Sequence, residues 1–460
     1  MHKPGRVLAT LASSLLLAPL APAVIAPTAQ AAPVPAATPA AIASPDFDGD
    51  GKADIASIMP TSSEIPFIRV WYGSGTTKDT TYTDLGLDDY GIGHVLLARD
   101  LNSDGFTDLI VSTLSDSGPG VQVIPGSATG LKPADRYGVS GLNSADTYVQ
   151  SLALVESPMR RLAIGISIAS GGKFDGEVQL YKLTSAGLPT GSPLKLKPSS
   201  GKIPKTVKNA DFGAAMDSWG DRLFIGAPYT KVSGQTNAGA VVAVTLDSAG
   251  VKSVKTVTQA TKSVTGAPGK GDLFGTAVVA RDGYLVVGTP RDAVGSIKQT
   301  GSIQVFSLSK GALKPVKRIS QNSAGIPGKA ERYDSFGAVL AIGAVCNGVP
   351  AVLVGGPGES LVKGHEWDGS AWLIPLKTVK GCAAKQIYEG NGLPGTPGWR
   401  FMGDLLAFVR DARATTDDLV IGGGGSFSEG PAGRIYRVSG MTGTATKLNP
   451  DDIFYTVAGR

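Results

Sequence analysis

Short apolar runs of four to six residues, cut off by glycine, proline or aspartate, recur from residue 55 onward. Runs of this length, rich in β-branched residues and bounded by turn formers, read as strands rather than helices. In the first two units they fall at 55–59, 67–72, 94–99, 109–112 and 121–124. Later units repeat the plan at 151–155, 162–167 and 177–181, then at 212–216, 223–228 and 239–244, then at 274–278, 285–290 and 301–306. A sixth unit has 336–340, 352–357 and a weaker strand near 364–367, and the last has 401–405, 419–423 and 433–437. Aligned on Ser57, Val111, Gly165, Gly226, Gly288, Gly355 and Gly422, the second strands recur at steps of 54 to 67 residues. Seven such units predict an all-β chain, a seven-bladed β-propeller of four-stranded antiparallel blades. Residues 453–457 have strand composition and are expected to complete a blade beside the other end of the chain.

Composition sharpens this picture. Sixty-two glycines and thirty prolines punctuate the chain too often for long helices. Glycine within a run, as at Gly226, Gly288 and Gly355, is expected where another backbone comes close. Before the first acidic loop, Lys3 and Arg6 precede an apolar stretch over 7–26 and the small residues Ala29 and Ala31, so 1–31 reads as a secretory signal peptide. Residues 32–43, almost wholly alanine and proline, read as an extended tether, leaving 44–460 for the propeller. No later run approaches the ~20 apolar residues of a spanning helix. The expected product is therefore a secreted or wall-associated monomer with no transmembrane span after signal cleavage.

Charge is unevenly placed. The formal charge is +5, yet residues 46–112 hold twelve acidic and four basic residues. Basic residues elsewhere are scattered rather than interleaved with aromatics, which argues against nucleic acid as a partner. The acidic excess centres on two loops. In residues 46–54, Asp46, Asp48, Asp50 and Asp54 stand at positions 1, 3, 5 and 9 with Gly51 at position 6. In residues 100–108, Asp100, Asn102, Asp104 and Asp108 repeat the spacing with Gly105 at position 6. Oxygen side chains at these offsets, with glycine at the sharp turn, suit Ca2+. Each loop is expected to add the backbone carbonyl at position 7, from Lys52 or Phe106. An EF-hand is excluded, because position 12 holds Ser57 or Val111 instead of a bidentate glutamate. Two structural calcium sites result. Cys346 and Cys382, the only cysteines, are expected to form a disulfide in an oxidising compartment.

Phe212-Gly213 followed by Gly226-Ala227-Pro228 resembles the FG-GAP repeats of the integrin α-subunit propeller. Phe274-Gly275 with Gly288-Thr289-Pro290, and Phe336-Gly337 with Gly355-Gly356-Pro357, repeat the pair with one change each. The first two units look like the calcium-loop variety of bacterial secreted FG-GAP proteins. The third and seventh units keep little of the signature, Phe-Gly in the last being Phe401-Met402-Gly403. The resemblance implies a fold and a role in cell adhesion or other binding, because the family includes adhesion receptors, lectins and propellers attached to enzymes.

Catalytic groupings are scarce. His94 and His365 are the only histidines after the signal peptide; His94 falls in a strand, and His365 stands beside Glu366 and Trp367 in a surface segment. No nucleophile elbow, zinc-binding His pair or phosphate loop occurs. Trp71, Trp219, Trp367, Trp372 and Trp399 do not recur at one blade position, so a sugar site per blade is excluded while one or two remain open. The expected function is binding of an extracellular protein, glycan or cell-wall ligand. The alternative is an extracellular hydrolase or lyase working in the central funnel, which clustered acids, histidine or tyrosine at the axial mouth would favour.

Overall fold

Burial along the strands sets their order within each blade. The second strands, such as Ile55–Met59, Arg222–Ala227 and Asp418–Gly423, are buried almost throughout, so nearly every residue is apolar or small. Fourth strands such as Gly250–Val257 and Lys314–Ile319 alternate exposed lysines with buried or half-buried aliphatics, as an outer edge facing water requires. A computed structural model shows how these strands assemble. It describes residues 44–59, 67–81, 92–115, 118–132, 137–139, 147–170, 173–198, 201–309, 312–363, 367–398, 401–423, 434–440, 443–448 and 456–458. The signal peptide, the tether, His365, Glu366 and Trp399 lie outside the described residues, as does the side chain of His94.

Among the described residues the strands form seven sheets, six of four strands and one of five. Pairing is antiparallel, apart from a two-residue parallel addition, Gly392–Leu393, at the edge of the sixth blade. The seven innermost strands are Ile92–Arg99, Thr147–Val155, Met216–Trp219, Val278–Arg281, Val339–Val345, Leu405–Val409 and Thr456–Ala458. Each touches the next, and the last touches the first, so they close a ring. Closure uses the C-terminal segment as expected: Ala56 pairs with Ala458, and Thr456–Ala458 occupies the innermost place of the first blade. Ser44 bridges Arg410 of the seventh blade from the other side of the seam. No described helix is long and apolar enough to cross a membrane.

The hydrophobic core is divided the same way. It falls into seven clusters, and each lies between two neighbouring blades. The glycine-rich signature is part of these interfaces. Gly275, at φ +95°, donates its amide to Gly288 O in its own blade at 2.9 Å. A methyl group on Gly226 of the fourth blade would stand 2.1 Å from Gly275 O of the fifth. The same approach, at 2.0 Å, joins Gly288 to Gly337 and Gly355 to Gly403. The glycine of one blade thus seats the Phe-Gly turn of the next, and crowding at the propeller axis is not its main reason.

Four first strands and one third strand need correction. The first strands of blades four to seven begin two or three residues after Gly213, Gly275, Gly337 and Gly403, because the glycine's positive φ cannot continue a strand. In blade seven Met402, 1% exposed, takes the buried place of the phenylalanine, and Gly369 bridges it as Gly301 bridges Phe336. The third strand of blade six is Ser370–Pro375 rather than 364–367. Gly369, not Gly364, is the glycine that precedes it.

Cys346, in the inner hairpin turn of blade six, is bonded to Cys382, which precedes that blade's fourth strand Lys385–Glu389.

Candidate functional site

Both acidic loops lie at one face of the disc. The 100–108 loop joins the inner strand of blade two to its second strand, and the 46–54 loop enters the second strand of blade one. Their internal bonding is the same. Asp46 Oδ1 and Oδ2 accept the amides of Gly49 and Gly51 at 2.7 and 3.0 Å, and Asp100 does so for Ser103 and Gly105 at 2.6 and 3.1 Å. Position 3 accepts from position 5, and position 5 from position 7: Asp48 from Asp50, Asp50 from Lys52, Asn102 from Asp104, and Asp104 from Phe106. Each carboxylate therefore bends the backbone around itself. In the first loop the carboxylate oxygens of Asp46, Asp48 and Asp50 converge to within 4.8 Å of one another.

Position 9 accepts backbone amides from further away. Asp54 Oδ2 and Oδ1 accept the amides of Phe47 and Gly73 at 2.6 and 2.8 Å. Asp108 repeats this with Leu101 and Gly126 at 2.9 and 3.1 Å. These aspartates close the loop and tie it to the end of the third strand. Burial pushes the Asp54 carboxyl up to about 7 and that of Asp108 up to about 6, against the lowering effect of those amides. Burial also raises Asp46.

The two loops brace each other. Asp46 N donates to Thr107 Oγ1 at 2.9 Å, and Thr107 N returns a bond to Asp46 O at 2.7 Å. The ring of Phe106 lies so close to Gly49 that a methyl group there would stand 2.5 Å from it. Arg160 of blade three donates to Asp100 O and Leu101 O, and Asp411 of blade seven accepts Ala53 N at 2.8 Å. Sequence spacing alone did not show these clamps, whose members lie some 60 to 360 residues apart.

On the same face, at the axis, a cavity of about 320 Å³ is lined by Arg99, Glu156, Asp217, Trp219 and Arg281 among aliphatic neighbours. Asp282 also lines it, 3.8 Å from the Arg281 guanidinium, and the other two carboxylates are engaged. Asp217 accepts Ser218 N and Ala280 N, both at 2.8 Å, joining the inner strands of blades four and five. Glu156 pairs with Arg160 at 2.9 Å.

At the opposite face, a polar cluster lies in blade six. Glu359, 5% exposed, accepts Gln321 Nε2 at 2.6 Å and Gln386 Nε2 at 3.1 Å. Burial, reinforced by the Asp334 charge, pushes Glu359 up to about 8, and burial pushes Asp334 up to about 7. Raised acids bind protons in the folded state that the unfolded chain has already released, so they stabilise at low pH and lose that effect as pH rises. Between pH 5 and 8 the protein is expected to lose stability, with Glu359 contributing on the order of 2–4 kcal/mol. In denaturant titrations at the two pH values, Glu359→Gln should shrink the difference. An unchanged difference would show that Glu359 does not titrate in this window.

The FG-GAP-like repeat family model matches residues 46–111, which contain both acidic loops. The chain is thus a seven-bladed β-propeller that carries FG-GAP-like repeat sequence in its first two blades. No curated protein matches the chain. Among solved structures, the chain is similar to a Bacteroides fragilis protein described as a candidate 6-phosphogluconolactonase, at 9% identity and a TM-score of 0.48, over 88% of this chain and 96% of that one. It is also similar to puromycin hydrolase, at 11% identity and a TM-score of 0.47, over 90% of this chain and 54% of that one. Sqt1 from Chaetomium thermophilum gives 14% identity and a TM-score of 0.41, over 80% and 75%.

Proposed function

We propose that the protein is a secreted, calcium-stabilised propeller that acts as a binding or adhesion module for an extracellular protein, glycan or wall polymer. The observation that carries this reading is the convergence of Asp46, Asp48 and Asp50 in a loop whose bonding pattern is repeated at Asp100, Asn102 and Asp104. These are hard oxygen donors, the chemistry Ca2+ prefers, and the carbonyls of Lys52 and Phe106 stand at the remaining loop position. Asp54 and Asp108 complete the donor set at position 9, and their carboxylates hold each loop in shape by accepting the backbone amides of Phe47 and Gly73 and of Leu101 and Gly126. A cation there would offset the mutual repulsion of the acids and stiffen the contact between blades one and two. Binding is favoured over hydrolysis because two of the three acids at the axial mouth, Asp217 and Glu156, are bonded within the scaffold, and the third, Asp282, stands beside Arg281.

Calcium titration by calorimetry tests the metal reading. Two ions should bind per chain, and Asp48→Asn with Asp50→Asn should reduce this to one. At a calcium concentration 100 times the dissociation constant, each site should add about 2.7 kcal/mol of stability. Absence of binding, with the same melting temperature in calcium and in chelator, would refute it.

A further inference from the structure

The face opposite the acidic loops carries a cavity of about 350 Å³ between the loops of blades five and six and the segments that lead into blades six and seven. Its walls include Tyr333 and Trp367, two of the few large apolar side chains left exposed, at 49% and 43%. Each ring has one face already covered. Trp367 stacks on Phe401 at 5.7 Å between centroids, and the Arg332 guanidinium lies 4.6 Å from the centre of Tyr333. The rings are not loosely hung. Tyr333, Trp367, Phe401, Gln299 and Ser335 all have left-handed φ, between +49° and +77°, which costs non-glycine residues about 1–3 kcal/mol each. Tyr333 N donates to Gln299 O at 2.8 Å and Phe401 N to Trp367 O at 3.1 Å, which fixes this backbone. A side chain at Gly358 would meet Tyr333 O at 1.8 Å, so the wall admits only glycine there.

Polar groups in the same cavity lack partners. Gln299 Oε1 is buried and accepts no hydrogen bond. Arg291 is exposed, and among the described residues no carboxylate lies within ion-pair distance of it. The site therefore presents flat aromatic faces and an exposed guanidinium that has no carboxylate partner among the described residues. A peptide strand would need an open sheet edge, whereas these walls are loops. A sugar ring has an apolar C–H face for the aromatics, and a carboxylate on it would pair with Arg291.

We propose that this cavity binds a carboxylate-bearing sugar of an extracellular glycan, which rests on the reading of the protein as a binding module. The test titrates the full chain, in calcium, with a galacturonic acid tetrasaccharide and with the uncharged galactose tetrasaccharide, following heat and tryptophan fluorescence. The acidic sugar should bind at least about tenfold more tightly than the neutral one. Trp367→Ala should weaken both about tenfold or more, while Arg291→Gln should remove only the preference for the acid. Both positions are exposed, and unchanged melting curves would confirm that the variants fold. Saturable binding that survives Trp367→Ala would overturn the cavity assignment and leave the binding-module reading intact. Equal affinity for the two sugars would overturn the acidic class. No binding of either sugar would also overturn the proposal, and if an array of extracellular proteins and glycans were then equally blank, the module reading would fall with it.

Discussion

Replacing Phe336 with alanine should cost about 3–5 kcal/mol of stability, whereas the same change at Phe401 should cost less than about 1 kcal/mol. Phe336 is fully buried between blades five and six, its ring 5.1 Å edge-on from Trp372 and packed among Val286, Ile303 and Ile342. Truncation would leave a cavity that the surrounding strands, hydrogen-bonded on both sides, cannot collapse to fill. Phe401 occupies the corresponding place by sequence alignment but is only half-buried, against the exposed Trp367. Its neighbour Met402 is the buried residue, so Met402→Ala should cost about 2–5 kcal/mol. Urea unfolding of the three variants would measure all three values. Equal losses at Phe401 and Phe336 would return blade seven to the alignment read from the sequence.

Changing Cys346 and Cys382 together to serine should lower stability by about 3–4 kcal/mol, the loop-closure entropy of a crosslink spanning 36 residues. The bond ties the inner hairpin of blade six to the approach of its fourth strand, so its loss should loosen the outer part of that blade first. Hydrogen exchange of Lys385–Glu389, compared in the oxidised protein and the double variant, would locate the effect. Uniform loss of protection around the ring would contradict that localisation.

Strand number and order were legible because each strand's pattern is local. Second strands covered on both faces read as continuous apolar runs, and all seven alignment positions from Ser57 to Gly422 fall within second strands. The reason for the glycines was not local. Gly288 is shaped by Gly337 of the next blade, and nothing near residue 288 reports that contact. The sixth blade's third strand was missed because Gly364 preceded a tryptophan as Gly369 precedes Ser370–Pro375, and only the bridge from Gly369 to Met402 distinguishes them. The spacing of the acidic loops was fully visible, yet Asp54 and Asp108 looked like the other acids. Their role in accepting Gly73 N and Gly126 N depends on where the third strand ends. The aromatic cavity was the least visible feature, because left-handed backbone at Tyr333 and Trp367 has no signature in residue type.

The pairing of Ala56 with Ala458 sets the order in which the ring can become complete. Blade one is synthesised first and finished last, since its innermost strand emerges only after the other six blades. Its pairing carries the longest loop closure in the molecule, and contacts of that kind dominate slow folding. Until that strand docks, Ile55–Met59 presents an apolar, unpaired edge, which is the type of edge that recruits other chains. The time from emergence of Thr456–Ala458 to closure is therefore the interval of greatest exposure to aggregation, and the pairing of that strand with Ile55–Met59 is where the finished ring would reopen.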